Sequence, residues 1–146
     1  MSERKVWILS GIPGSGKSTW AGREIPAGRT FSADDWFTTN SVYQFRPQEL
    51  PLAHQACFRG FLRAVQEISP RPVAVDNTNL SAWEIAPYML AAEAHDWEVA
   101  IVRVHCPLAV ALERQTHGVP PERLAAMARA FDRRDVLPWW TVHEVL

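Results

Sequence analysis

The chain of 146 residues is 47% hydrophobic and 21% charged, a composition that excludes wholesale disorder. Fifteen basic residues against sixteen acidic ones give a formal charge of −1, which excludes attachment to nucleic acid by bulk charge and leaves room only for a local basic groove. Two cysteines, Cys57 and Cys106, are too few for a disulfide framework, and no apolar run approaches the ~20 residues of a membrane span, so a single cytoplasmic domain over residues 1–146, with no membrane partner, is expected.

In chain order, Val6-Trp7-Ile8-Leu9 predicts a buried strand, entered directly from Met1 to Lys5, and Lys17 to Glu24 a helix stopped near Pro26. A weaker strand covers Arg29 to Ser32. After an irregular segment a helix is predicted from about Gln48 to Ile68, then a clear strand from Pro72 to Val75. Ser81, with Glu84 three residues on, has the form of a capping box for a helix ending near Asp96. Val99 to Val104 is a third continuous apolar strand, followed by helices over about Leu108 to Thr116 and Pro121 to Arg133. Strands that are apolar on both faces and alternate with helices imply an α/β fold, a mostly parallel sheet covered by helices on both sides in three layers. In such a sheet ligands bind beyond the carboxyl ends of the strands, so the residues just after each strand are the ones to read for chemistry.

After the first strand comes Gly11-Ile12-Pro13-Gly14-Ser15-Gly16-Lys17-Ser18, followed by Thr19. This fits the phosphate-loop pattern G-x-x-x-x-G-K-[ST] without departure, between a strand and a helix as the chemistry requires. Glycines let backbone amides wrap phosphate oxygens, and the helix presents its positive dipole end to them. Lys17 can reach the β- and γ-phosphates and the Ser18 hydroxyl can ligate Mg²⁺, so ATP and Mg²⁺ are the expected ligands of Gly11, Pro13, Gly14, Ser15, Gly16, Lys17, Ser18 and Thr19. A P-loop NTPase fold follows.

The second predicted strand leads into Asp34-Asp35. A kinase needs a carboxylate to accept the proton of the attacking hydroxyl, and one of this pair is placed for that role, with Asp35 also a candidate for substrate contact; either can instead cap the following turn. The third leads into Asp76-Asn77-Thr78-Asn79. Asp76 is where a P-loop enzyme carries its Mg²⁺-associated acid, and Asn77, Thr78 and Asn79 offer hydrogen-bonding groups to the same crevice; an Asx turn feeding Ser81 is the plainer reading. Tyr43, in Tyr43-Gln44-Phe45-Arg46, is a candidate for acceptor contacts on a substrate-facing loop.

Arg103, Arg114, Arg123, Arg129, Arg133 and Arg134 outnumber the acids Glu113, Glu122 and Asp132 around them. Most belong to solvated helix faces; Arg114, with His117 as a weaker companion, is the candidate for a lid at about 114–122 that stabilises transferring phosphate. The other histidines show no metal-ligand spacing. The seven tryptophans are read mainly as packing residues, with Trp139-Trp140 tying down the tail.

Taken together these residues resemble a P-loop kinase of the polynucleotide 5′-hydroxyl kinase group. The matching order is Gly11 to Trp20, Asp34-Asp35, Thr78-Asn79-Leu80, then Arg114. The chain is more similar still to the compact kinase-like domain of animal ubiquitin-ligase-binding proteins and its bacterial relatives, through Phe31-Ser32-Ala33-Asp34-Asp35, Tyr43-Gln44-Phe45, Ala53-His54, Asp76-Asn77-Thr78-Asn79, Trp83-Glu84, Pro87-Tyr88 and His117-Gly118-Val119. The resemblance spans Val6 to about Phe131. It implies transfer of the ATP γ-phosphate to a 5′-hydroxyl of RNA or DNA, with Asp34 as general base, Lys17 and Ser18 on the phosphates and Mg²⁺, and Arg114 in the lid. Two positions depart from the phage-type kinase: Phe37 stands where that enzyme has an arginine for the substrate 3′-phosphate, and His117 and Gly118 stand where its lid has a second arginine. A small-molecule kinase, or an ATP-binding interaction module with little transfer, are the other readings of the same residues.

Overall fold

The computed structural model describes residues 4–68 and 70–146; Met1 to Glu3, which precede the first strand, and Ser69 lie outside the described residues. The strands are β1 (Lys5–Ser10), β2 (Arg29–Phe31), β3 (Thr38–Thr39), β4 (Val42–Tyr43), β5 (Val73–Asp76), β6 (Glu98–Val104) and β7 (Val142–Val145). The helices are α1 (Lys17–Glu24), α2 (Leu50–Val65), α3 (Ala82–Ala94), α4 (Leu108–Arg114) and α5 (Pro121–Asp132), with 3₁₀ turns over Ala33–Phe37 and Pro47–Glu49.

Five strands form one sheet in the order β2-β5-β1-β6-β7, and every neighbouring pair is parallel. Strand β1 is central, with Ile8 opposite Val75 on one side and Ile101 on the other. Alternation sorts the side chains. Val6, Ile8, Val73, Val75 and Ile101 meet Phe61, Val65, Ile85, Met89 and Ala92 of α2 and α3 on one face. Leu9, Ala74, Val102 and Val104 meet Ala21 and Ile25, flanked by Trp7 and Trp20, on the other. Each fully buried aliphatic side chain contributes about 1.5–3 kcal/mol, and a slip of one residue would reverse both rows, so these runs fix the register.

The helices follow the same logic. On α2 the buried Ala53, Cys57, Phe61 and Ala64 recur at helical spacing, and on α3 Ile85, Tyr88, Met89 and Ala92 do so. A smaller cluster of Ile12, Ala111, Leu124 and Phe131 packs α4 and α5 beside the phosphate loop. No helix among the described residues is long and apolar enough to cross a membrane.

The predicted strands and helices are present, with shifted ends. The second helix stops at Val65 because Ile68, at 97% exposure, has nothing to pack against. The fourth stops at Arg114, where Gln115 turns extended and its side-chain amide closes the next loop on the backbone of Val119. The capping box does not form: the Ser81 hydroxyl donates to Glu84 at 2.6 Å, and the Ala82 amide finds Asp135 at 2.9 Å instead. Two features were not read from the sequence. One is the β3–β4 hairpin, turning through Asn40 and Ser41 at φ 51° and 65°, as a primed turn requires. The other is β7, whose Glu144 bonds Arg103, His105 and Arg134.

Candidate active site

The carboxyl ends of β1, β5 and β6 open into a crevice of about 710 Å³. Its walls are the loop from Pro13 to Thr19, Asp34, the run Asp76 to Thr78, the run Arg114 to His117, and Val104-His105 with Val145-Leu146. This is the position expected where strand order reverses about β1.

The phosphate loop has the shape its sequence demands. Gly16 holds φ +98° at the start of α1, a conformation that side chains disfavour. Gly14, at φ +82°, lies so close to α4 that a Cβ would come within 2.4 Å of the Ala111 carbonyl oxygen. Lys17 Nζ donates to the Ile12 carbonyl at 3.2 Å. Burial pushes its ammonium below its ordinary value, opposed by the charges of Asp76 and Asp34. The Ser15 hydroxyl is buried with no partner, a polar atom that a phosphate oxygen would satisfy.

The Ser18 hydroxyl donates to Asp76 Oδ2 at 2.5 Å. A hydroxyl and a carboxylate in contact suit a hard, oxygen-seeking cation, with phosphate and water completing its shell. Among the described residues no group of three or more His, Cys, Asp or Glu side chains could hold a metal ion.

Across the crevice, Asp34 stands in the 3₁₀ turn after β2. The turn is fastened at three points: the Asp34 amide donates to the Ser32 hydroxyl at 3.1 Å, the Ala33 amide to Asn77 Oδ1 at 2.8 Å, and Thr38 Oγ1 to the Asp34 carbonyl at 3.0 Å. Asp34 Oδ2 lies 3.7 Å from His117 Nδ1. Asp35 does not line the crevice; desolvation in the turn pushes its carboxyl up, and the nearby Asp34 and Asp76 add to this against a backbone hydrogen bond at Ser32. The geometry thus separates the acidic pair, with Asp34 facing the phosphate loop.

The other expected site residues divide. Thr78 lines the crevice while its carbonyl accepts from the Gly11 amide at 2.9 Å, so Gly11 ties the loop to β5 from behind. Asn77 lines the crevice too, but its oxygen is taken by Ala33 and its nitrogen donates to Cys57 Sγ at 3.6 Å. It positions Asp34 and has little left for a substrate. Asn79 corrects the expectation of an acceptor contact: it is 2% exposed, absent from the crevice wall, and its amide donates to the Leu9 carbonyl at 2.7 Å. Tyr43 stands back from the crevice and reaches it through His117, on which its ring stacks at 4.1 Å. Burial and the Asp34 carboxylate push the Tyr43 phenol up. Phe37 is 2% exposed beneath Tyr43 and Phe45, so this position anchors the hairpin and presents nothing to a ligand. His105 and Val145 line the crevice without having been singled out. His105 directly follows a strand, where the carboxyl-end rule could have found it; Val145 was hidden because β7 was not foreseen.

The model of a family described as an AAA domain matches residues 6–134. Human NEDD4-binding protein 2 is 34% identical over 134 residues, which is 86% of this chain and only 8% of that protein's length. A chain of the Pnkp1/Rnl/Hen1 RNA repair complex superposes with a TM-score of 0.68 at 18% identity, over 88% of this chain and 44% of the other. A gluconokinase from Sinorhizobium meliloti 1021 superposes at 0.63 with 15% identity, over 99% of this chain and 85% of the other. The last two likenesses speak to fold alone. With the phosphate loop, the strand-end acid and the parallel sheet in place, the chain belongs to this AAA-domain family.

Proposed function

We propose that the domain transfers the γ-phosphate of ATP to the 5′-hydroxyl of a polynucleotide. The observation that carries the reading is the placement of Asp34, fastened by Ser32, Asn77 and Thr38, on the wall facing Lys17 and the Ser18–Asp76 pair. A carboxylate there can take a proton from a hydroxyl brought up to a bound γ-phosphate. The fold shared with a chain of an RNA repair complex supports the acceptor class, as do the part-exposed aromatic rings of Trp36 and Phe45 on the Asp34 side, at 39% and 40% exposure, which suit stacking on unpaired bases.

In this mechanism the acceptor O–H gives its proton to Asp34 as its oxygen forms a bond to the γ-phosphorus. The bond from that phosphorus to the bridging oxygen breaks, and the electron pair leaves on ADP. Lys17 and the loop amides hold the phosphate oxygens, and Arg114 at the end of α4 offsets charge on the transferring group. Ser18 and Asp76 would hold Mg²⁺, which when bound neutralises charge on the β- and γ-phosphates.

The test is transfer of labelled γ-phosphate from ATP-Mg²⁺ to 5′-hydroxyl RNA and DNA oligonucleotides, with Asp34→Ala and Lys17→Ala beside the wild type. Label on the oligonucleotide that vanishes in both variants supports the proposal; no label with ATP still bound removes it. A small-molecule acceptor is the second reading. It is favoured by the near-neutral charge, by the superposition of the gluconokinase over nearly the whole chain, and by Phe37, whose burial leaves no cation at that position for a second phosphate. Salt-sensitive oligonucleotide binding separates the two.

A further inference from the structure

Tyr43 and His117 come from parts of the chain with no common element, strand β4 of the hairpin and the loop after α4, yet their rings stack at 4.1 Å with planes 11° apart. Each partner is held from behind. The Tyr43 ring packs edge-on against buried Phe37, which also carries Phe45 and the Arg46 guanidinium. The loop bearing His117 is closed by Gln115, whose side chain bonds the amide and the carbonyl of Val119 at 2.8 and 2.7 Å. The loop follows directly on Arg114 at the end of α4, and from it His117 reaches across the crevice to the Tyr43 ring and to within 3.7 Å of Asp34 Oδ2.

We infer that His117 is a positioning residue, which by stacking on Tyr43 docks the lid loop onto the acceptor side and holds a nucleotide beneath it. The crevice has the phosphate loop as its floor and Arg114 to His117 as one wall, so a nucleotide leaves when that wall swings away. Swinging it away breaks the stack. Gly14, pressed against Ala111 and Gln115, makes the other end of the same wall a pivot. The stack thereby also presents Arg114 and Asp34 to the phosphate in one fixed relation. This extends the proposed transfer reaction, in which Asp34 takes the proton, but nucleotide retention does not depend on the acceptor.

The experiment is stopped-flow release of mant-ADP, with Mg²⁺ present, from the full chain and from His117→Ala, Tyr43→Ala, Tyr43→Phe and the double alanine variant. A ring stack of this kind implies release roughly three- to tenfold faster in either alanine variant. Tyr43→Phe keeps the ring and stays near the wild-type rate, and the double variant is no faster than the singles, because one stack is lost only once. The inference is overturned if His117→Ala releases at the wild-type rate, if Tyr43→Phe is as fast as Tyr43→Ala, or if the two alanine effects multiply. A wild type that retains mant-ADP and phosphorylates no oligonucleotide removes the proposed acceptor and leaves the lid contact standing.

Discussion

The Ser18 hydroxyl donates to the Asp76 carboxylate at 2.5 Å across 58 residues of sequence, joining the first turn of α1 to the end of β5. Two strands and a loop must be correctly ordered for the pair to meet, so the contact reports the fold and the chemistry together. Asp76→Asn and Ser18→Ala are expected to weaken nucleotide binding about tenfold or more in Mg²⁺, with little change when EDTA is present. Calorimetric titration under both conditions checks this; equal losses with and without metal would assign the pair to structure alone.

Asp34→Asn keeps the size of the side chain and leaves the three backbone fastenings of its turn intact. Transfer is expected to fall by about 10²–10⁴ while nucleotide affinity holds. Single-turnover transfer beside equilibrium ATP binding reads the two separately.

Gly14→Ala places a methyl group against the Ala111 carbonyl at 2.4 Å and forces φ +82° on a residue with a side chain. A cost of about 1–3 kcal/mol is expected, seen as a lower urea midpoint at unchanged slope. Nucleotide should restore part of it by mass action.

Glu144 links β7 to the rest of the molecule through Arg103, His105 and Arg134. Partial burial pushes its carboxyl up, but these hydrogen bonds and the Arg103 charge win, and it lies below its ordinary value. A carboxyl depressed by folding stabilises above its unfolded pKa, about 4.3, and loses that contribution as pH falls through its folded value. Glu144→Gln leaves Arg103, 4% exposed, without its anion and should cost roughly 1–3 kcal/mol at neutral pH. The gap in Tm between variant and wild type is expected to hold down to about pH 5 and narrow below the unfolded pKa; a gap that ignores pH would show that the charge is idle.

The three apolar strands were legible because each is a continuous run, and burial on both faces leaves no other reading of Val6 to Leu9 or Val99 to Val104. The phosphate loop was legible because its backbone geometry admits few sequences. What escaped has weak local signals. Strand β7 is four residues of alternating character, held by pairing with β6 and by an ion cluster gathered from three elements. Asn79 reads as a crevice residue by position, yet at φ +45° its amide turns inward to the end of β1. Ser81 and Glu84 match a capping pattern, and only the tertiary approach of Asp135 decides that they pair with each other. His117 gained weight solely from a ring stack that no spacing predicts.

All five strands of the main sheet run in one direction, so the molecule has a working rim and a silent one. The turn at His95-Asp96, exposed and between α3 and the start of β6, belongs to the silent rim, a full strand length from the crevice. A fluorophore, a surface tether or a short inserted peptide placed there would report on or immobilise the domain with the crevice facing outward and unobstructed.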